Sequence, residues 1–108
     1  MAAGKLGAAA LTTANIDTAI YTVPANVVAT VTISACNKGT TAAKVRVAIG
    51  VGSAGAPTAA EYLEYDTSVP PNGVLERTGV VCSATEKVFV RSSTADVCVR
   101  VHGFEEPA

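Results

Sequence analysis

Residues 27–49, VVATVTISACNKGTTAAKVRVAI, decide the fold. The first part alternates aliphatic with small, mostly polar side chains, and the last part alternates valine and isoleucine with alanine, lysine and arginine. A period of two is typical of strands that bury one face. The residues NKGTT at 37–41 favour a tight turn. The segment therefore predicts two long strands paired as a β-hairpin, which would set the register of the sheet.

The composition favours a small all-β domain. The 108 residues are 49% hydrophobic but only 5% aromatic, with no tryptophan, so valine, alanine, isoleucine and leucine must build the core. Eight basic and nine acidic side chains leave a net charge of −1, which gives no electrostatic basis for binding nucleic acid or an anionic membrane. No long apolar run or signal-peptide pattern is present, and the sequence predicts no membrane partner.

Turn residues divide the rest of the chain into short strands. Further strands are predicted over residues 11–21, 59–66, 74–81, 87–92 and 97–104. A helical turn stays open for 59–66, Gly79 is predicted to form a bulge or an edge kink, and the last two strands are predicted to form a second hairpin. Residues 50–57 contain three glycines but lack the spacing of a phosphate-binding loop, which predicts a plain loop.

About seven or eight strands at this spacing predict an antiparallel β-sandwich or jelly roll, as a single domain. The domain is assigned to residues 11–104, followed by a solvated tail at 105–108. Residues 1–10, MAAGKLGAAA, have no amphipathic period and predict a flexible N-terminal arm, either frayed or laid on a neighbouring subunit.

The sequence predicts no enzyme and no catalytic, cofactor-binding or metal site. His102 is the only histidine, and its phase places it on the surface. Cys98 precedes it by four residues, roughly 13 Å along a strand, which is too far for a shared zinc ion. Tyr62 and Tyr65 are predicted to point to opposite faces of one strand, which argues against a flat aromatic platform for a sugar.

The three cysteines, Cys36, Cys82 and Cys98, have two open interpretations. They are an odd number without CxxC spacing, and as small hydrophobic side chains they would be inert in a reducing cytoplasm. Alternatively, because Cys36 and Cys98 follow the polar phase of their strands, the cysteines would form disulfides between subunits in an oxidising medium.

A protein-contact surface is predicted on the outward faces of the strands. It consists of small hydroxyl side chains, one thiol and three cations: Thr30, Thr32, Ser34, Cys36, Lys44, Arg46 and Arg100. The cations would meet acidic side chains of an adjacent copy, or they would simply keep the chain in solution.

Six strand-and-turn patterns stand out together: YTVPA (21–25), CNKG (36–39), AKVRVAI (43–49), YLEYD (62–66), GVLERTG (73–79) and VCVRVHG (97–103). They resemble a group of small structural proteins of tailed bacteriophages, cyanophages among them, over nearly the whole chain. The resemblance implies a β-sandwich subunit of a virion, made in the host cytoplasm and repeated by symmetry. Cys82 and Cys98 depart from the group, which adds weight to disulfide cross-linking.

The expected function is a non-enzymatic virion structural protein that decorates or cements a capsid, collar or tail. Its expected partners are copies of itself, as a trimer or another symmetric oligomer, and another virion protein such as the major capsid protein. The alternative is a glycan-binding module on a phage fibre or head surface, for which Tyr62 and Tyr65 are the residues to test.

Overall fold

The computed structural model describes residues 2–52 and 57–108. These residues form eight strands: β1 Ala3–Leu11, β2 Thr18–Thr22, β3 Val27–Asn37, β4 Ala43–Gly50, β5 Tyr62–Val69, β6 Val74–Cys82, β7 Lys87–Ser92 and β8 Val97–Pro107. A 3-10 turn at Ala59–Glu61 directly precedes β5. The prediction of an all-β chain is confirmed. Across the described ranges, no helix has the length and apolar character needed to cross a membrane.

The strands pack as two four-stranded sheets. Sheet 1 has the order β1-β8-β3-β6 and sheet 2 the order β2-β7-β4-β5, with every pairing antiparallel. Consecutive strands β1 and β2, β3 and β4, β5 and β6, and β7 and β8 are divided between the sheets. This strand order is that of a jelly roll, so the predicted β-sandwich or jelly roll is confirmed.

The two predicted hairpins are wrong in their pairing. β3 pairs with β8 and β6, whereas β4 pairs with β7 and β5, so the two halves of residues 27–49 lie in opposite sheets. β7 and β8 are divided in the same way. The physical reason is that each strand has one apolar face, and these faces are buried when the strands face each other across the core as well as when they lie side by side.

The core fills the space between the sheets. β3 alternates buried and half-buried side chains over its whole length. Val31 and Ile33 from this strand, and Val45 and Val47 from β4, are at most 1% exposed. Each such side chain contributes about 1.5–3 kcal/mol through removal of apolar surface from water. These valines and isoleucines fix which face of each strand points inward.

The predicted flexible arm is wrong. Residues 3–11 form β1, an edge strand whose register with β8 runs from Ala3 opposite Phe104 to Leu11 opposite Val97. Leu11 is buried, and a side chain at Gly7 would approach the Ile20 carbonyl oxygen to 2.3 Å. The small residues that suggested disorder therefore allow β1 to pack closely against β2.

Other boundaries also differ from prediction. The strand predicted over 11–21 is interrupted between β1 and β2, and β8 continues into the predicted tail as far as Pro107. The segment 59–66 contains both a 3-10 turn and the start of β5. Residues 53–56 of the predicted loop lie outside the described residues. The bulge at Gly79 is confirmed, because its φ is 66° and the β3–β6 register shifts between Val31 and Ile33.

Candidate functional site

The outward side chains of sheet 1, called here the outer face of sheet 1, line up in rows across its strands. Read from β6 or β3 towards β1, the rows are Val74-Cys36-Cys98-Ala10, Glu76-Ser34-Arg100-Ala8, Thr32-His102-Lys5 and Val81-Thr30-Phe104-Ala3. The rows arise because the antiparallel pairs place opposite residues on the same face of the sheet. The result is one surface with polar side chains at its centre and apolar ones at both ends.

The structure brings together five of the seven predicted contact residues. Thr30, Thr32, Ser34, Cys36 and Arg100 all lie on the outer face of sheet 1. Because β4 belongs to the other sheet, the two remaining residues do not join them. The predicted single contact surface is therefore wrong for Lys44 and Arg46, which lie on the opposite side of the sandwich.

The sequence did not indicate that three large apolar side chains lie on this face. Val74, Val81 and Phe104 are 58%, 64% and 45% exposed. Val74 and Val81 lie in the edge strand β6, where the Gly79 bulge changes the phase, so alternation alone did not indicate which face they occupy. Val81 and Phe104 flank Thr30 at one end of the face, and Val74 lies beside Cys36 at the other end.

The centre of the outer face of sheet 1 carries opposite charges. Glu76 and Arg100 are both exposed and flank Ser34 in one row. Two strand spacings separate them, roughly 9.6 Å between backbones. In the part of the chain that the structure describes, neither side chain forms a salt bridge, so both charges are available to another molecule.

Arg46, one of the outward cations of sheet 2, already has partners within the chain. The Arg46 guanidinium donates hydrogen bonds of 2.7 and 3.2 Å to Asp66 and lies 4.0 Å from the centre of the Tyr65 ring. These bonds hold the pKa of Asp66 below its usual range. Because Arg46 already has an ionic and an aromatic partner, it is less available than Arg100 for a contact outside the chain.

Tyr62 and Tyr65 lie on the same side of β5, so the prediction that they point to opposite faces is wrong. Their ring centroids are 5.0 Å apart, edge to face, and both rings line a groove of about 450 Å³ with Pro57 and Ala59. The cause is irregular pairing of β5 with β4. Val45 faces Thr67, Val47 faces Glu64 and Ala48 faces Tyr62, so β5 carries two extra residues over this stretch and its alternation is disrupted.

The outer face of sheet 2 is also partly covered. Phe89 is 3% exposed although it lies outside the core between the sheets. Gly52 packs on its ring, since a Cβ there would approach Phe89 Cζ to 2.4 Å. Gly52 therefore shields Phe89 at this end of sheet 2, whereas Leu63 and Tyr65 in β5 are 40% and 59% exposed.

The three cysteines occupy two different environments. Cys36 and Cys98 lie directly opposite each other on the outer face of sheet 1, both half-buried and free. Cys82 is fully buried, and burial raises the pKa of its thiol to about 11. Its predicted part in an inter-subunit disulfide is therefore wrong, because the side chain points into the core. For Cys36 and Cys98 that role stays a prediction.

The fold and the surface together define an eight-stranded jelly-roll domain whose sheet 1 presents exposed apolar and charged side chains on its outer face. No family model, no curated protein and no solved structure matches this chain.

Proposed function

We propose that this chain is a non-enzymatic structural subunit of a tailed-phage virion, which decorates or cements the capsid, collar or tail. The observation that carries the proposal is the outer face of sheet 1. This face leaves Val74, Val81 and Phe104 exposed and carries two exposed opposite charges, Glu76 and Arg100, at its centre. Its proposed partners are copies of the same chain and another virion protein such as the major capsid protein.

The topology supports the proposal by analogy. Jelly rolls are used in viral capsid domains, although the same fold also serves lectins and other proteins. The resemblance of the six strand-and-turn patterns to phage structural proteins points in the same direction.

The charges on the outer face of sheet 1 suit a contact between two copies. Two outer faces of sheet 1 can meet about a two-fold axis that runs parallel to β3 at Ser34. This axis would place Glu76 of one copy against Arg100 of the other, twice per contact. The same packing would cover the apolar side chains at the ends of the face. One such contact can be weak, because a lattice with many copies gains its strength from avidity.

Sedimentation of the purified protein over a range of concentrations tests this contact. We expect self-association of the wild type, weaker association of Arg100→Glu and of Glu76→Arg, and recovery in the double variant, where the charges are exchanged. Lys44→Glu, on the opposite side of the sandwich, is the matched control and should behave as wild type. A monomer at all concentrations, or an equal loss in the Lys44 variant, would contradict the proposed contact.

Experiments on purified particles test whether, and where, the protein belongs to a virion. We expect the protein in purified particles at a copy number that follows the symmetry of the capsid, collar or tail. Particles that lack it should lose their contents at a lower temperature than complete particles. Absence of the protein from purified particles would contradict the virion role whatever the sedimentation result.

The groove beside Tyr62 and Tyr65 favours glycan binding as a second candidate function. Tyr65 is 59% exposed and the two rings meet at one groove, as in sites where aromatic side chains hold a sugar. A glycan array with the isolated protein tests it. Binding that is lost in Tyr62→Ala and Tyr65→Ala but kept in Phe104→Ala, on the other sheet, would support this function. No binding by the wild type would contradict it.

A further inference from the structure

Cys36 and Cys98 are direct partners in the antiparallel pairing of β3 with β8. Residues in such positions have Cα atoms about 4.5–5.5 Å apart. Disulfide-bonded cysteines have Cα atoms about 4.4–6.8 Å apart. The register of sheet 1 therefore places two thiols of the same chain within bonding range, although 61 residues separate them in the sequence.

The backbone shows which kind of pair this is. Asn37 donates its N–H to Gly73 and accepts from the N–H of Asn72, so its backbone groups point towards β6. Those of Cys36, one residue earlier, point towards β8. The two cysteines are thus a hydrogen-bonded pair, the wider of the two kinds, with Cβ atoms about 5.5 Å apart.

This spacing predicts a labile bond. Disulfides need Cβ atoms about 3.5–4.5 Å apart, so the two strands must approach each other by about 1 Å before the bond closes. Strained disulfides have higher reduction potentials and are reduced more readily than relaxed structural ones. The pair is therefore suited to reversible oxidation.

A small oxidant can reach both thiols. Cys36 and Cys98 line a shallow groove of about 440 Å³, which Ser34, Arg100 and the alanines of β1 complete. Arg100 is exposed and carries the positive charge at this groove. Oxidised glutathione bears carboxylates that this cation would attract.

We propose that Cys36 and Cys98 form a redox-active pair that closes to an intrachain disulfide when it meets a small disulfide such as oxidised glutathione. The thiolate of one cysteine attacks the oxidant, which forms a mixed disulfide and releases one reduced glutathione. The thiolate of the other cysteine attacks the protein sulfur of that bond and releases the second. Two thiol protons leave, and two electrons pass from the protein to the oxidant.

Two features of the chain support this pairing. Cys82 is fully buried and cannot compete for either thiol. Within residues 2–52 and 57–108, no cluster of three Cys, His, Asp or Glu side chains is placed to hold a metal ion, so the two thiols lack a third ligand. The pair needs only one folded chain, so its oxidation does not depend on a role in a virion.

Intact mass measurement after incubation with oxidised glutathione tests the proposal. We expect the wild-type chain to lose two hydrogens, about 2 Da, and to run as a monomer on a non-reducing gel. A peptide that joins residue 36 to residue 98 should appear and should disappear with a mild thiol reductant. Cys82→Ser should behave identically, whereas Cys36→Ser and Cys98→Ser should stop at the adduct with one glutathione.

Thermal unfolding gives a second measurement that does not depend on peptide mapping. Oxidation should raise the unfolding temperature of the wild type, because the bond constrains the unfolded chain, and should not raise that of Cys36→Ser. Covalent dimers, or a wild type that keeps one or two glutathiones without closing, would overturn the proposal. Dimers that depend on Cys36 or Cys98 would instead favour a bond between subunits.

Discussion

Tyr21 in sheet 2 donates a hydrogen bond of 2.5 Å to Glu105 in sheet 1. The other carboxylate oxygen of Glu105 accepts from the backbone N–H of Ala2, and the Glu105 N–H donates to the Ala2 carbonyl. One glutamate therefore ties together β2, β8 and the start of β1. The side chain closes the sandwich at the edge where β1 lies over β2.

We expect this link to depend on acid. The bond from Tyr21, followed by the N–H of Ala2, holds the pKa of Glu105 below its usual range. Burial and the negative partner raise the pKa of Tyr21, which keeps the phenol protonated. The link therefore stabilises the fold above the unfolded pKa of glutamate, about 4.3, and its contribution is lost as the pH falls through the lower folded pKa.

Urea unfolding of wild type and Tyr21→Phe as a function of pH measures this effect. At pH 7 the variant should have the lower unfolding midpoint, and the difference should close as Glu105 is protonated. Tyr65→Phe is a suitable control, since that side chain is largely exposed. A difference between wild type and Tyr21→Phe that does not change with pH would contradict the role of the Glu105 charge.

The alternation along β3 predicts opposite outcomes for adjacent residues. Ile33 is 1% exposed, so Ile33→Ala should lower the free energy of unfolding by about 2–5 kcal/mol through lost burial and a cavity. Thr32 lies on the outer face of sheet 1, where replacement by alanine should stay within about 0.5 kcal/mol. Chemical denaturation of both variants measures the contrast. Equal losses would contradict the assignment of the two faces.

The sequence indicated which faces are buried but not which strands are neighbours. Val31 and Ile33, like Val45 and Val47, point inward as their alternation predicted. Alternation does not distinguish a hairpin from two strands that face each other across a core, because both bury the same side chains. The five residues 38–42 between β3 and β4 are long enough for the crossing, and their length was the available sign.

The candidate site depended on pairings between strands far apart in the chain. Cys36 meets Cys98 only because β8 inserts between β1 and β3, which no local pattern reveals. Tyr62 meets Tyr65 because β5 carries an extra residue near Asp66, whose φ is 55°. Aspartate tolerates this left-handed conformation better than most residues, so Asp66 was a weak local sign of the bulge.

Gly103 and Gly79 in sheet 1 illustrate two different reasons for a glycine: a positive φ that other residues rarely adopt, and a neighbouring atom that leaves no room for a Cβ. Gly103 has a φ of 151°, and a Cβ there would lie 2.0 Å from the Thr30 carbonyl oxygen. Gly79 has a φ of 66°, but a Cβ there would meet nothing within 4 Å. The first position therefore needs a glycine for two reasons and the second for only one.

We expect Gly103→Ala to cost about 2–5 kcal/mol of unfolding free energy, because strain is added to a clash with the backbone of β3. Gly79→Ala should cost about 1–2 kcal/mol, from the left-handed conformation alone. Denaturant unfolding of both variants provides the values. If Gly79→Ala were the more damaging change, the close packing of β8 on β3 would be contradicted.

We expect the contact of Arg46 with Tyr65 and Asp66 to hold the Tyr65 ring in place at the groove on sheet 2. Arg46→Met keeps much of the side-chain length but removes the charge that lies over the Tyr65 ring and donates to Asp66. The fluorescence of this chain comes from three tyrosines without tryptophan, so quenching by acrylamide reports on their exposure. We expect stronger quenching in Arg46→Met than in wild type, and a lower urea midpoint at neutral pH.

The acid dependence of Arg46→Met identifies the ionic part of this contact. The lowered pKa of Asp66 means that the ion pair stabilises the fold above the unfolded pKa of aspartate, about 3.9, and fades as the pH falls through the lower folded value. The difference in urea midpoint should therefore shrink in acid. Lys38→Met is the control, because Lys38 is exposed and forms no salt bridge with the described residues. Unchanged quenching in Arg46→Met would show that the cation does not hold the Tyr65 ring in place.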